Sequence, residues 1–288
     1  MCDLTNPIFN DEDAAREYLE KQRWADGVFC PTCGQLDSVS PFKGKSMGPG
    51  WHHCNSCRKK FTVRVGTLYE RSHIPLHKWL LATHLMCSSK KGISAHQLHR
   101  MLGITYKSAW FMAHRIREGM RSENSGPIGG SGKIVEADET YFGNKDRVLK
   151  RTRRGQPTHG SKRSVVALVE RGGTARFFHV KHATAAGIRE VLVRNVSRAT
   201  DLMTDESRLY VETGKEYASH QSVKHSAGEY VRGIVHTNTV ENVFSVFKRG
   251  MRGVYQHCGE AHLFRYLAEF EFRYNHRSGL KVTDAERR

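Results

Sequence analysis

The sequence predicts a mixed α/β protein with a small cysteine-stapled module at its N-terminal end. Three observations carry that expectation. Two C-x-x-C pairs lie within residues 30–57, helical periodicity runs through residues 74–120, and short apolar strands alternate with helices beyond a Gly/Ser-rich stretch. At 288 residues, with 38% hydrophobic and 26% charged residues, the chain has room for about two domains. Collagen-like, mucin-like and wholly disordered chains are excluded. No run approaches the ~18 apolar residues that span a bilayer. The opening MCDLTNPIFNDEDAAREYLE lacks the basic and apolar regions of a secretory signal, so a soluble cytoplasmic protein is expected. Forty-six Lys and Arg against 29 Asp and Glu give +17, with 17 His in addition. That excess points to a polyanionic partner, nucleic acid first, because each cation set on a phosphate releases a counterion.

Residues 1–20 read as a short amphipathic helix, and residues 28–66 are turn-rich. Of seven cysteines, Cys30/Cys33 and Cys54/Cys57 form the two pairs, while Cys2, Cys87 and Cys258 stand alone. An odd count in a cytosolic-looking chain argues against a disulfide framework. Each C-x-x-C turn presents two thiolates to one tetrahedral ion, and Gly34 permits the left-handed turn such a knuckle needs. The pattern is that of a zinc ribbon holding one structural Zn2+, since four protein ligands leave no open position for chemistry. His52 and His53 are read as DNA contacts or surface residues rather than ligands. Arg58, Lys59, Lys60 and Arg64, with Phe61 interleaved, are either phosphate contacts or a solvated hairpin face.

Residues 74–90 and 93–120 read as helical. Ser94 with Gln97 three positions on matches a capping box, Leu98, Met101 and Leu102 give an apolar face, Gly103 breaks the helix and Thr105 can cap the next. The second helix has Ala109, Met112, Ala113 and Ile116 at helical spacing. Two helices joined by a Gly-containing turn are the shape of a helix-turn-helix, in which Tyr106, Lys107, His114, Arg115 and Arg117 are the expected exposed set. An ordinary helical hairpin is the alternative. Residues 122–132 (SENSGPIGGSG) read as a linker. The expected organisation is therefore an N-terminal helix and zinc ribbon (1–72), the helix-turn-helix region (73–121), the linker (122–132) and an α/β domain (133–288).

In that last part, Ile134–Asp138 reads as a strand, 144–163 as a basic loop, Ser164–Val169 as an apolar strand turning through Arg171–Gly173 into Ala175–Val180, 184–196 as a helix, Asp201–Asp205 as a strand, and 239–249 and 260–275 as helices. Strand, strand hairpin, helix, strand, helix, helix fits an RNase H-like sheet, in which the first strand and the strand after the helix are neighbours. Asp138 and Asp205, each ending a strand, then meet at the carboxyl ends where α/β sites form. Glu241 lies early in a helix whose Asn238, Glu241, Ser245 and Lys248 share one face, opposite Val240, Val243, Phe244 and Phe247. Three carboxylates delivered this way can hold two divalent cations against a phosphodiester, and oxygen ligands suit Mg2+ or Mn2+. Each has a structural alternative: Asn238-x-x-Glu241 also fits a capping box, a strand-end Asp is often a turn former, and Glu139 or Glu206 could be the ligands instead. Cys258, His257 and His262 have irregular spacing and read as surface or satisfied residues, Cys87 as a small core residue, and Tyr141 and Tyr255 as packing.

Taken together, CPTCG, HCNSCRKKF, VEADETYFGNK, LMTDES, HTNTVENVFSVFKRGMRGVYQH and LAEFEFRYNHR resemble the DDE transposases of bacterial insertion sequences, in the group with an N-terminal transposase zinc ribbon. The resemblance spans about residues 20–277. It implies an RNase H-like catalytic domain, magnesium-dependent cleavage at element ends and joining of 3′-OH ends to target DNA. It sets the first acid at Asp138, the second at Asp205 and the downstream cation at Lys248, with Glu241 favoured over Asn238 as the third metal position. Arg249 and the basic residues of 144–163 join the expected DNA contacts. A synaptic complex on double-stranded DNA implies a homodimer or larger assembly. A catalytically silent DNA-binding regulator and a nuclease or resolvase of the same fold are the competing expectations.

Overall fold

In the computed structural model the described residues are 3–42, 47–122, 126–143, 148–151, 157–159, 162–284 and 286–287. The chain divides into two compact units, Met1–Ser89 with Ile93–Gly119 and Asp284–Arg288, and Lys90–Gly92 with Met120–Thr283. Among the described residues no helix is long and apolar enough to cross a membrane.

In the first unit, helix α1 (Glu12–Arg23) starts later than expected, after a 3-10 turn at Pro7–Phe9, because Asp11 caps it by accepting the Ala14 N–H at 2.7 Å. Strands β1 (Val39–Pro41), β2 (His52–Cys54) and β3 (Lys60–Phe61) form a three-stranded antiparallel sheet. It packs around Trp24, Cys30, Cys54, Phe61 and Val63. His52 is half-buried against this core: it stacks on Phe61 at 5.7 Å and meets the edge of Trp24 at 5.0 Å. Helices α2 (Leu76–Ser88), α3 (Ala95–Leu102) and α4 (Tyr106–Gly119) follow. Ser94 caps α3 through the Gln97 N–H at 3.1 Å, Gly103 ends it with φ 59°, and Thr105 accepts the Ser108 N–H at 3.2 Å. Ala109, Met112, Ala113 and Ile116 are buried as the periodicity predicts. Met101, expected on the apolar face of α3, is instead 50% exposed.

The second unit is built on strands β4 (Ile134–Phe142), β5 (Val148–Arg151), β6 (Pro157–His159), β7 (Arg163–Glu170), β8 (Ala175–Val180), β9 (Asp201–Thr204), β10 (Ser219–Ser222), β11 (Val231–Arg232) and β12 (Val235–His236), with helices α5 (Ala185–Asn195), α6 (Arg208–Gly214), α7 (Asn238–Gly250) and α8 (Leu263–Asn275). The main sheet has the order β10-β9-β4-β7-β8. β4, β7 and β8 pair antiparallel, whereas β9 runs parallel to β4 and β10 parallel to β9. β5 and β6 pair within the stretch read as a basic loop, whose residues 144–147, 152–156 and 160–161 lie outside the described residues. α6, β10 and the β11–β12 pair carry too little apolar periodicity to be legible in the sequence. Within 122–132, Ile128 is buried in this unit and bridges Val196.

β7 alternates between two cores. Val165, Ala167 and Val169 face α7 and α8, and Val166 and Leu168 face α5 and α6. β8 is an edge strand, and α8 covers its open side. The Asn275 carboxamide accepts the Ala175 N–H at 2.7 Å and donates to the Ala175 carbonyl at 3.0 Å, and Glu271 accepts the Phe177 N–H at 3.0 Å. Part of the RYNHR motif therefore closes a sheet edge. Replacing Asn275 by Ala leaves two backbone groups of Ala175 without their partner, and we expect a loss of about 1–2 kcal/mol of stability in urea unfolding.

Candidate functional site

β4 is longer than expected: β7 pairs with it from Val135 to Phe142, so Asp138 lies mid-strand and not at a strand end. β9 pairs with β4 only at Ile134–Glu136. Continuing that register by two residues brings Asp138 level with Asp205, which follows the last residue of β9. Strand alternation sends Glu136, Asp138 and Thr140 to the face covered by α7.

Glu136 is fully buried and fixes α7 on that face. Its carboxylate accepts the Thr239 and Val240 N–H groups at 2.8 and 2.9 Å, the Thr239 hydroxyl at 2.8 Å and Arg171 Nε at 2.6 Å, with His236 Nδ1 3.2 Å away. A carboxylate against the first N–H groups of a helix is where its charge is most favourable. The capping box read at Asn238 does not form. Thr237 is the N-cap and makes no side-chain cap bond, Asn238 is the first helical residue and exposed, and the free N–H groups are satisfied from β4. Glu241 is thereby left to face outward. Val240, Val243, Phe244 and Phe247 are buried and Ser245 is exposed, as the helical phase predicts. Sequence reasoning passed over Glu136; its only signal was a charged residue two positions before Asp138 in a strand otherwise apolar on its partner's side.

Asp138, Glu139, Thr140, Glu241, Ser245, Lys248 and Arg249 line one open cavity of about 670 Å³. Burial, and then the charges of Asp205, Glu139 and Glu241, push the Asp138 carboxyl up to about 8, against a bond from the Glu139 N–H at 2.7 Å that lowers it. So Asp138 is within electrostatic reach of the other two expected acids. Asp205 accepts the Ser207 N–H at 3.0 Å at the entry to α6. Glu241 Oε1 accepts the Thr237 hydroxyl at 2.7 Å and lies 3.3 Å from His225 Nε2, two partners the sequence reading did not name. Glu139 accepts the Tyr210 hydroxyl at 2.6 Å, and Glu206 accepts Ser226 N and Oγ at 3.0 and 2.9 Å. Among the described residues the three acids are not gathered to single-ion spacing; the one group of three or more metal-ligating side chains within 4.8 Å of one another is cysteine. A pair of ions about 3.5–4 Å apart spans a wider ligand set than one ion does.

That cysteine group is Cys30, Cys33, Cys54 and Cys57. The Cys30–Cys57 and Cys33–Cys54 sulfur distances are both 3.6 Å, close to the edge of about 3.8 Å of a tetrahedron with zinc–sulfur bonds of about 2.3 Å. The two knuckles are alike: Cys30 N–H bonds the Gln35 carbonyl at 2.9 Å and Cys54 N–H the Lys59 carbonyl at 3.0 Å. Gly34 has φ 76° in the first, and Arg58 takes the same left-handed position in the second with φ 56°. The donor set fits one structural zinc ion.

The expected nucleic-acid contacts divide. Arg58, Lys59, Lys60, Tyr106, Lys107 and Arg249 are exposed. Arg64 is turned inward onto the Ser72 and Ile74 carbonyls at 2.9 and 2.8 Å, and Arg115 bonds the Glu70 carbonyl at 2.8 Å while lying over the Trp79 ring. His114 and Arg117, expected on the exposed face of α4, are buried, Arg117 to 2% exposure. Arg117 falls four residues after Ala113 and eight after Ala109, so helical phase puts it on the buried stripe.

Two predictions follow from the carboxylates. Glu136→Ala takes the carboxylate from Arg171, which keeps only the Ile234 and His236 carbonyls and the His236 ring, and from the α7 N-terminus, and we expect a destabilisation of about 3 kcal/mol in denaturant unfolding. Asp138, with its carboxyl pushed to about 8, holds its proton more tightly folded than unfolded, so metal-free protein loses stability as pH rises from about 4 towards 8. Asp138→Asn should therefore be more stable than the parent by about 5 kcal/mol at pH 8 and indistinguishable from it near pH 4, read by thermal unfolding in chelator.

Residues 129–275 match the family model described as the ISXO2-like transposase domain, and residues 10–60 match the transposase zinc-ribbon domain. A Halobacterium salinarum protein, described as an uncharacterized protein in transposable element ISH50, is 30% identical over 283 residues, covering 92% of this chain and 91% of that protein. Among solved structures, the Mos1 transposase paired-end complex with left transposon end covers 70% of this chain and 75% of its own at 14% identity and a TM-score of 0.28. A pre-cleavage Mos1 transpososome covers 65% and 73% at 12% identity and a TM-score of 0.21. Scores that low carry no argument about architecture; the sequence families do, and by them this chain belongs to the ISXO2-like transposases, with a transposase zinc ribbon ahead of the transposase domain.

Proposed function

We infer that the chain cuts phosphodiester bonds at the ends of an insertion sequence and joins the resulting 3′-OH ends to target DNA. What supports this reading is that the β4–β9 register, continued by two residues, sets Asp205 abreast of Asp138, that Asp138 and Glu241 line one cavity, and that burial and then the charges of Asp205 and Glu241, with Glu139, raise the Asp138 carboxyl. The sheet order, three antiparallel strands followed by two parallel to the first, supports an RNase H-like domain over residues 133–288.

In this reading Asp138, Asp205 and Glu241 hold the divalent ions. Mg2+ or Mn2+, when bound, activates the attacking water or 3′-OH and stabilises the leaving oxygen. Thr237 and His225 orient the Glu241 carboxylate, and Asp138 gives up its proton as the site fills. Glu241, rather than Asn238, is the third ligand, because Glu241 lines the cavity with Asp138 and Asn238 does not. Lys248 lies seven residues beyond Glu241 on the same wall and is set to hold a phosphate. The zinc ribbon (1–72) and the α3–α4 helix-turn-helix (73–121) recognise the element's terminal repeats, with Arg58, Lys59, Lys60, Tyr106 and Lys107 as contacts; Arg249 joins the catalytic-domain grip. Two ends must be held together, which requires a dimer or larger assembly.

The test is Asp205→Asn on double-stranded element ends. We expect end binding within about threefold of the parent and magnesium-dependent nicking reduced by at least about a thousandfold. Undiminished nicking would remove Asp205 from the site. A parent protein that binds ends but never breaks a strand would be a regulator, and one that nicks but never joins ends would be a nuclease.

A further inference from the structure

The geometry points to a second phosphate seat, beside the acidic cavity, that takes the backbone phosphodiester neighbouring the one cut. This rests on the transposase reading and extends it to the path of the DNA strand. The second cavity, about 510 Å³, is bounded by the end of β4 (Tyr141–Gly143), Arg163 at the start of β7, and the segment that follows α7. Its charged walls are Arg163, Lys248 and Arg252, with His257 beside them, and among the described residues no acidic side chain lines it. Lys248 and Arg252 also line the acidic cavity, so the two spaces meet along one wall.

The division of charge is the argument. The side holding Asp138, Glu139 and Glu241 sets three acids against Lys248, Arg249 and Arg252, so a phosphate there is repelled by the acids as well as attracted. The adjoining side attracts it, since its own side chains carry the positive charge. DNA places phosphates one after another along a strand. Because Lys248 and Arg252 line both cavities, a strand with one phosphate among the acids finds this wall next to it for the neighbouring phosphate. The wall itself is built with strain. α7 runs on into a π-helical turn, Met251–Tyr255, that carries Arg252, and Gln256 then adopts φ 55° and ψ −47°. The His257 N–H closes on the Tyr255 carbonyl at 2.5 Å, a three-residue turn seldom taken by a residue with a side chain. That turn presents His257 and Cys258 to the cavity, and the Cys258 carbonyl accepts the Arg163 guanidinium, anchoring it there. Arg252 is exposed.

The experiment uses the full-length protein and element-end duplexes carrying one neutral methylphosphonate linkage at a time, at the three positions on either side of the cut. Binding is measured by fluorescence anisotropy in Ca2+ and nicking in Mg2+. We expect one of these six linkages, when neutral, to weaken binding about tenfold, Arg252→Ala to weaken it about tenfold on unmodified DNA, and the two changes together to cost no more than either alone. Arg252→Lys should retain most of the linkage dependence. The seat is overturned if no flanking linkage matters or if Arg252→Ala keeps the parent's linkage dependence. Linkage dependence in a protein that never nicks would leave the seat standing and sink the enzymatic reading, and failure to bind the duplex at all would sink both.

Discussion

One buried carboxylate holds the C-terminal unit in register. Glu136 projects from the central strand and is fully buried, and four donors from two later segments converge on it, with His236 Nδ1 beside them. Removing a charge from water costs several kcal/mol unless it is fully paired. The fold therefore has one way to bury this residue, with α7 starting directly above β4 and Arg171 turned back across the sheet. Every other statement about the site is downstream of that contact. Asp138 is two residues along the same face of the same strand, and Glu241 is one helical turn into the helix that Glu136 caps.

Burial, and then the neighbouring acidic charges, disfavour the ionised forms of Asp138 and Glu139, which line a cavity that Lys248, Arg249 and Arg252 also line. The stability of the unit is supplied elsewhere: by the alternating apolar faces of β7, by Phe244 and Phe247 of α7 against α8, and by the α8 side chains that close the β8 edge. The LAEFEFRYNHR segment, the most family-specific stretch together with that around α7, thus does structural work through Glu271 and Asn275.

In the first unit the same separation holds on a smaller scale. The four sulfurs sit in a small cluster in which Cys30 and Cys54 are buried with Trp24, Phe61 and Val63, and Leu19, Val28, Phe29, Val39 and Val65 pack around them. Basic side chains that look alike in sequence have different fates. Arg58, Lys59 and Lys60 stay outside, while Arg64 closes a turn by taking two carbonyls, as a planar guanidinium with five donors can.

Local patterns were legible in the sequence because their causes are local. The knuckle cysteines and Gly34, the Ser94 cap, the Gly103 stop and the apolar stripe of α7 each follow from residues within a few positions of one another. The burial of Arg117 was legible too, in its spacing from Ala113, but charge obscured it. The tertiary structure alone decided what depends on register between distant segments. β7 extended β4 and moved Asp138 from a strand end to mid-strand, β9 stopped pairing at Glu136 with the Asp205 charge still felt by Asp138, and Glu136 took the capping role that the capping-box alternative gave to Asn238. A sequence names which side chains can carry charge or bind metal. Which of them share a cavity is fixed by hydrogen bonds between residues 67 to 104 positions apart, and no local spacing encodes those.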